Sequence, residues 1–129
     1  MEMDKEEAVA RIRAEILAPD WRLNQRRAAT LAAALAVVGG DAGERKAFRY
    51  LLEMARVALA YQERHGQEAP PMVLDFLKAA LAQVIAVIEE DHLSVERETE
   101  IFNKVHLSFI ALKRQLARVR AEKSGGMPG

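Results

Sequence analysis

Between Met72 and Ile88 the chain reads MVLDFLKAALAQVIAVI, and only Asp75, Lys78 and Gln83 interrupt the apolar run. Wound at about 100° per residue, those three polar side chains share roughly 140° of the circumference and leave about 220° apolar. A helix lying on a protein surface needs a stripe only a little over about 100° wide. This segment, α4 at about residues 71–90, is therefore expected at the centre of the fold, with neighbours on two or three sides.

The remaining pattern divides into four more helices. In α1, at about residues 4–18, Val9, Ile12 and Ile16 follow helical spacing and Pro19 ends the run. Asp20-Trp21-Arg22-Leu23 makes a corner in which Trp21 reads as a plug fixing how two helices meet. Asn24 is placed to cap α2, at 25–38, with Leu23 and Ala28 as a hydrophobic staple. Ala28, Leu31, Leu35 and Val38 face inward, while the other sides of α2 are rich in alanine, and Gly39-Gly40 is expected to stop it. Asp41-Ala42-Gly43-Glu44 has the form of a capping box opening α3, which runs to about His65 with Gly66 beyond its end. Its inward row is Ala47, Phe48, Leu51, Leu52, Ala55, Ala58 and Leu59, and Arg45, Arg49, Glu53, Arg56 and Glu63 face water. Pro71 suits the first turn of α4, and Ser94 caps α5, which extends to about Glu122.

Heptads mark α5. Val95, Phe102, Phe109 and Leu116 recur every seven residues, as do Val105, Leu112 and Val119, with Glu98 breaking the second series. Leu107 and Ile110 lie roughly 130–190° round from that seam, so α5 has two apolar sides.

Half of the 129 residues are apolar and 29% are charged, which fits one folded domain able to bury a core. The charges alternate in blocks: −3 over residues 1–20, +4 over 21–66, −6 over 67–100 and +5 over 101–129. Neighbouring segments of opposite sign suit adjacent helices, and no large field of one sign remains to grip nucleic acid or anionic lipid. There is no cysteine, hence no disulfide or thiolate chemistry. The acidic N-terminus lacks the apolar core of a secretory signal, and Asp75 and Lys78 punctuate α4 against a membrane-spanning role.

Four groupings could carry chemistry. Gly39-Gly40-Asp41-Ala42-Gly43 with Arg45 and Lys46 has the look of a phosphate cradle, but it follows a helix and lacks the Lys-Ser/Thr end of a P-loop. Glu89-x-x-His92 has the spacing of carboxylate-bridged dimetal sites, yet its nearest second copy is Asn103-x-x-His106, where asparagine is a poor ligand. His106 lies mid-helix, as in histidine phosphotransfer domains, but Phe109 and Ile110 stand where those domains carry Lys and Gly. A half-buried structural role at the edge of the seam is expected for it. Thr30, Ser94, Thr99, Ser108, Ser124 and the two tyrosines fall in no nucleophile turn, and the basic end of α5 reads as a solvated helix end.

Glu15-Ile16-Leu17, with Asp20-Trp21 and Leu23 after it, resembles the opening of a group of bacterial helical proteins of unassigned activity. In these an E-I-L-x-x-D-W segment precedes two or three further helices. The resemblance covers about nine residues; it implies a helical cytoplasmic bacterial protein and brings no activity, cofactor or catalytic residue.

The expected architecture is all-α: a five-helix up-and-down bundle, residues 1–123 forming one domain and 124–129 a disordered tail. The expected role is a non-enzymatic interaction or regulatory module without cofactor, metal, nucleic acid or membrane, forming a homodimer or meeting a protein partner. Ala29, Ala33 and Ala36 on α2 and Leu107 and Ile110 on α5 are the candidate interface, because exposed apolar surface marks partner sites. A closed monomer with α1 folded over Leu107 and Ile110 is the competing arrangement. A phosphotransfer-like bundle using His106 is the alternative function.

Overall fold

A computed structural model describes residues 3–17, 25–40, 45–90 and 93–125. Five helices account for most of them: α1 Lys5–Leu17, α2 Gln25–Gly40, α3 Lys46–His65, α4 Pro71–Glu89 and α5 Val95–Gly125. A short 3₁₀ turn, Gly66–Glu68, links α3 to α4. No strand occurs among the described residues.

Local chemistry sets most boundaries where the sequence placed them. Asp4 caps α1, its Oδ1 accepting from the Glu7 amide at 2.8 Å. The Ser94 Oγ accepts from the Arg97 amide at 3.1 Å and opens α5. Gly66 ends α3 at φ 55° and ψ −129°, a conformation in which any side chain would be strained. The buried Gln62 helps to hold that end, its Nε2 donating to the Gly66 carbonyl at 3.0 Å. Pro71 sits in the first turn of α4, where a missing N–H costs nothing.

Two boundaries differ. α2 continues through Gly40 rather than stopping before Gly39; glycine in a helix costs about 1 kcal/mol, which packing of that last turn on α3 offsets. α5 runs to Gly125, past the expected Glu122. Asn24, Leu23, Trp21, the Asp41–Glu44 box, His92 and residues 126–129 lie outside the described residues.

α3 and α4 form a hairpin in the middle of the molecule. α1 packs on α2 and α4, and α2 packs on α1 and α3, so the first two helices cover one side of the hairpin. α5 packs on α3 and α4 and touches neither α1 nor α2, so it covers another side. Successive helices always pack on one another, as an up-and-down order requires. α4 has three neighbours, in line with its wide apolar arc; α3 also has three and shares the central position. Val73, Leu77, Ala80, Leu81 and Val84 of α4 are fully enclosed, while Ala79, Ala82 and Ala86 reach solvent. The length and apolar composition of α4 would also pass for a membrane span; its enclosed side chains give that composition a use inside the bundle.

Two contacts between neighbouring blocks of opposite sign form, α1 with α2 and the start of α3 with α5, whereas Arg13 and Glu89 join two net-acidic blocks. Arg27 of α2 holds Glu15 of α1 through two hydrogen bonds of 3.2 and 2.6 Å, Arg13 of α1 pairs with Glu89 of α4, and Arg45 pairs with Glu98 of α5.

Candidate interaction surface

Glu98 is the residue that breaks the α5 heptad, and the structure gives the break a purpose. Only 7% exposed, it lies against the start of α3. Its Oε1 accepts from the Phe48 amide at 3.2 Å, and its Oε2 accepts from Arg45 Nε and Nη2 at 3.1 and 3.0 Å. Arg45, the residue before α3, makes no cap with its own side chain. A carboxylate from α5 therefore supplies an acceptor that the α3 N-terminus lacks locally. The Arg45 guanidinium also lies 5.1 Å from the centre of the Phe48 ring. This cluster fixes the axial position of α5 on α3, and with it the surface between them.

α3 and α5 run parallel: Phe48 meets Glu98 and Tyr50 meets Phe102, with ring centres 5.9 Å apart. Farther along, Val57 and Tyr61 face Phe109, Leu112, Leu116 and Arg120 across an open groove of about 460 Å³. α4 and α5 run antiparallel, with Phe76 5.4 Å from Phe109 and Gln83, two turns on, sharing a shallow hollow with Lys104. Of the expected seam, only Val105 and Leu112 are buried, while Phe102, Phe109, Leu116 and Val119 are half-buried; Ile101, outside both heptad series, is buried as well. Val95, counted in the seam, is 81% exposed; it lies one turn before Glu98, ahead of the point where α3 begins, so no helix covers it.

Ala29, Ala33 and Ala36 are exposed on the outer side of α2. Leu107 is 69% exposed and Ile110 is half-buried on the outer side of α5. The two sets stand on helices that share no contact and do not merge into one patch. α1 does not reach α5, so it does not cover Leu107 or Ile110. The closed arrangement considered from the sequence is absent. Sequence reasoning passed over Tyr50 and Val57, both exposed beside the α5 seam. Their seven-residue spacing was the available signal.

No reactive set is assembled among the described residues. None of their His, Asp and Glu side chains form a group of three able to hold a metal ion. Glu89 is engaged by Arg13. Arg45, once grouped with the glycine-rich loop, is committed to Glu98, and Gly39-Gly40 is helical. His106 is exposed rather than half-buried, with one ring face stacked on Phe102 at 5.2 Å; it lies beyond the edge of the buried arc of α5, where neither α3 nor α4 reaches it. His65 stacks on Tyr61 at the end of α3, ring centres 4.1 Å apart.

The fold defines a class, the all-α helical bundle, here with open grooves and exposed apolar side chains among the described residues. No protein-family model matches the chain, and neither curated proteins nor solved structures give a match.

Proposed function

We propose that this protein is a non-enzymatic interaction or regulatory module that self-associates through the outer side of α5. The observation that carries the reading is Leu107, 69% exposed and uncovered by any other helix, beside the half-buried Ile110. Burying both across a two-fold axis removes apolar surface from water on two copies at once, at about 25 cal/mol per Å². The exposed alanines Ala29, Ala33 and Ala36 give α2 a slim outer side that a second chain approaches closely. Light scattering at high micromolar concentration is expected to give the mass of a dimer, and Leu107→Asp is expected to return it to the monomer mass. A wild-type monomer under those conditions refutes self-association.

One observation favours a second reading, a phosphotransfer-like signalling bundle, and that is the exposed imidazole of His106. Incubation with a small phosphodonor would then give acid-labile phosphate that disappears in His106→Gln. Absence of label removes this reading. Phe109 and Ile110 on the same helix, where phosphotransfer domains carry Lys and Gly, make it the weaker of the two.

A further inference from the structure

The outer face shared by α3 and α5 carries incompletely buried apolar side chains at heptad spacing on both walls. Tyr50 and Val57 stand seven residues apart on α3, and Phe102, Phe109 and Leu116 repeat that interval on α5. This is the interval at which one helix edge keeps facing another helix. Because α3 and α5 run parallel, both edges border the same furrow. α1 and α2 never reach α5, so neither lies across it. The furrow deepens into the groove of about 460 Å³ beside Val57, Tyr61, Phe109 and Leu116.

Charge states what would complete it. His106, Lys113 and Arg120 follow the same interval along the α5 rim. Lys113 and Arg120 form no ion pair among the described residues, and no acidic side chain lines the groove. The Lys113 Nζ instead lies 5.5 Å from the centre of the Phe109 ring. The hollow between α2 and α3 differs, because Glu53 stands among its cations and pairs with Arg56 at 3.9 Å. A second copy offering its own furrow would bring Lys113 and Arg120 again and no acidic groove residue to meet them, so like charges oppose such a pairing.

We propose that the α3–α5 furrow is the docking site for an acidic amphipathic helix of a partner protein. The helix lies along the furrow as a third strand, its apolar edge on Val57, Phe109 and Leu116 and its carboxylates against Lys113 and Arg120. From Phe109 to Arg120 the wall measures about 16 Å, so a partner helix of about three turns spans it. Phe109 and Leu107 point roughly 160° apart on α5, so this site is separate from the self-association surface and fails or succeeds independently of it.

The test uses a synthetic helix of about three heptads, with leucine at the two apolar positions and glutamate flanking them, and a counterpart with lysine flanking. Each is titrated into the full chain and followed by fluorescence anisotropy. The acidic probe binds and the basic one does not. Lys113→Glu with Arg120→Glu weakens the acidic probe by roughly tenfold or more, since two attractive pairs become repulsive. Val57→Asp, at a position already 46% exposed, keeps the helical circular dichroism and abolishes binding, while Leu107→Asp leaves binding unchanged. No binding of the acidic probe, equal binding of the basic one, or an affinity indifferent to the charge reversals overturns the proposal. So does light scattering in which Val57→Asp turns a dimer into a monomer, because a second copy would then be the occupant.

Discussion

Replacing Glu98 with alanine is expected to cost about 2–4 kcal/mol of folding stability, read as a fall in the urea midpoint at unchanged slope. Three hydrogen bonds end on this carboxylate, one from the Phe48 amide and two from Arg45. Without it the Phe48 amide loses its acceptor at a buried helix start. The guanidinium side chain is 42% exposed and regains water, which keeps the loss below that of a fully enclosed pair. Glu98→Gln retains an acceptor for the amide but not the charge, and its cost is about half as large. Glu98→Leu restores the heptad and buries more apolar surface, yet leaves the α3 N-terminus without its acceptor, so it should also fall short of wild type. A leucine variant as stable as wild type would show that the carboxylate contributes nothing to holding α5 on α3.

The second large effect belongs to α4. Leu81 is fully buried, so Leu81→Ala should remove about 3–4 kcal/mol through lost burial and the cavity left behind. Ala82, the next residue, is exposed, and Ala82→Lys should change stability by less than about 0.5 kcal/mol. Denaturant unfolding of the two variants compares adjacent positions with opposite surroundings. Similar losses at both would contradict the central placement of α4.

The architecture was legible because the largest energetic term is also the most periodic. Three polar side chains gathered on one arc of seventeen residues gave α4 its place, and heptads gave α5 its buried edge. Asp4, Ser94, Gly66 and Pro71 mark their helix ends through chemistry confined to a few neighbours. Glu98 was visible only as an irregularity, since its partners are the start of a helix fifty residues earlier in the chain. Val95 and His106 were misjudged for a related reason: periodicity gives the direction of a side chain but not where the neighbouring helix begins or how far it reaches. For the same reason Leu107 could be assigned to the far side of α5, while the question of whether α1 covered it needed the tertiary arrangement. The α3–α5 groove was least legible, because a furrow belongs to two helices at once and to neither pattern alone.

α5 and the α1–α2 pair share no contact and meet only through the hairpin between them. Among the described residues, a signal passing from a ligand on the α5 side to the alanine face of α2 travels as a small tilt or slide of α3 and α4. Closely packed apolar layers transmit such displacements as rigid bodies rather than absorbing them. Among the described residues the middle hairpin is thus both the mechanical floor for each outer surface and the link between them, which makes the two surfaces separable by mutation and coupled through the core.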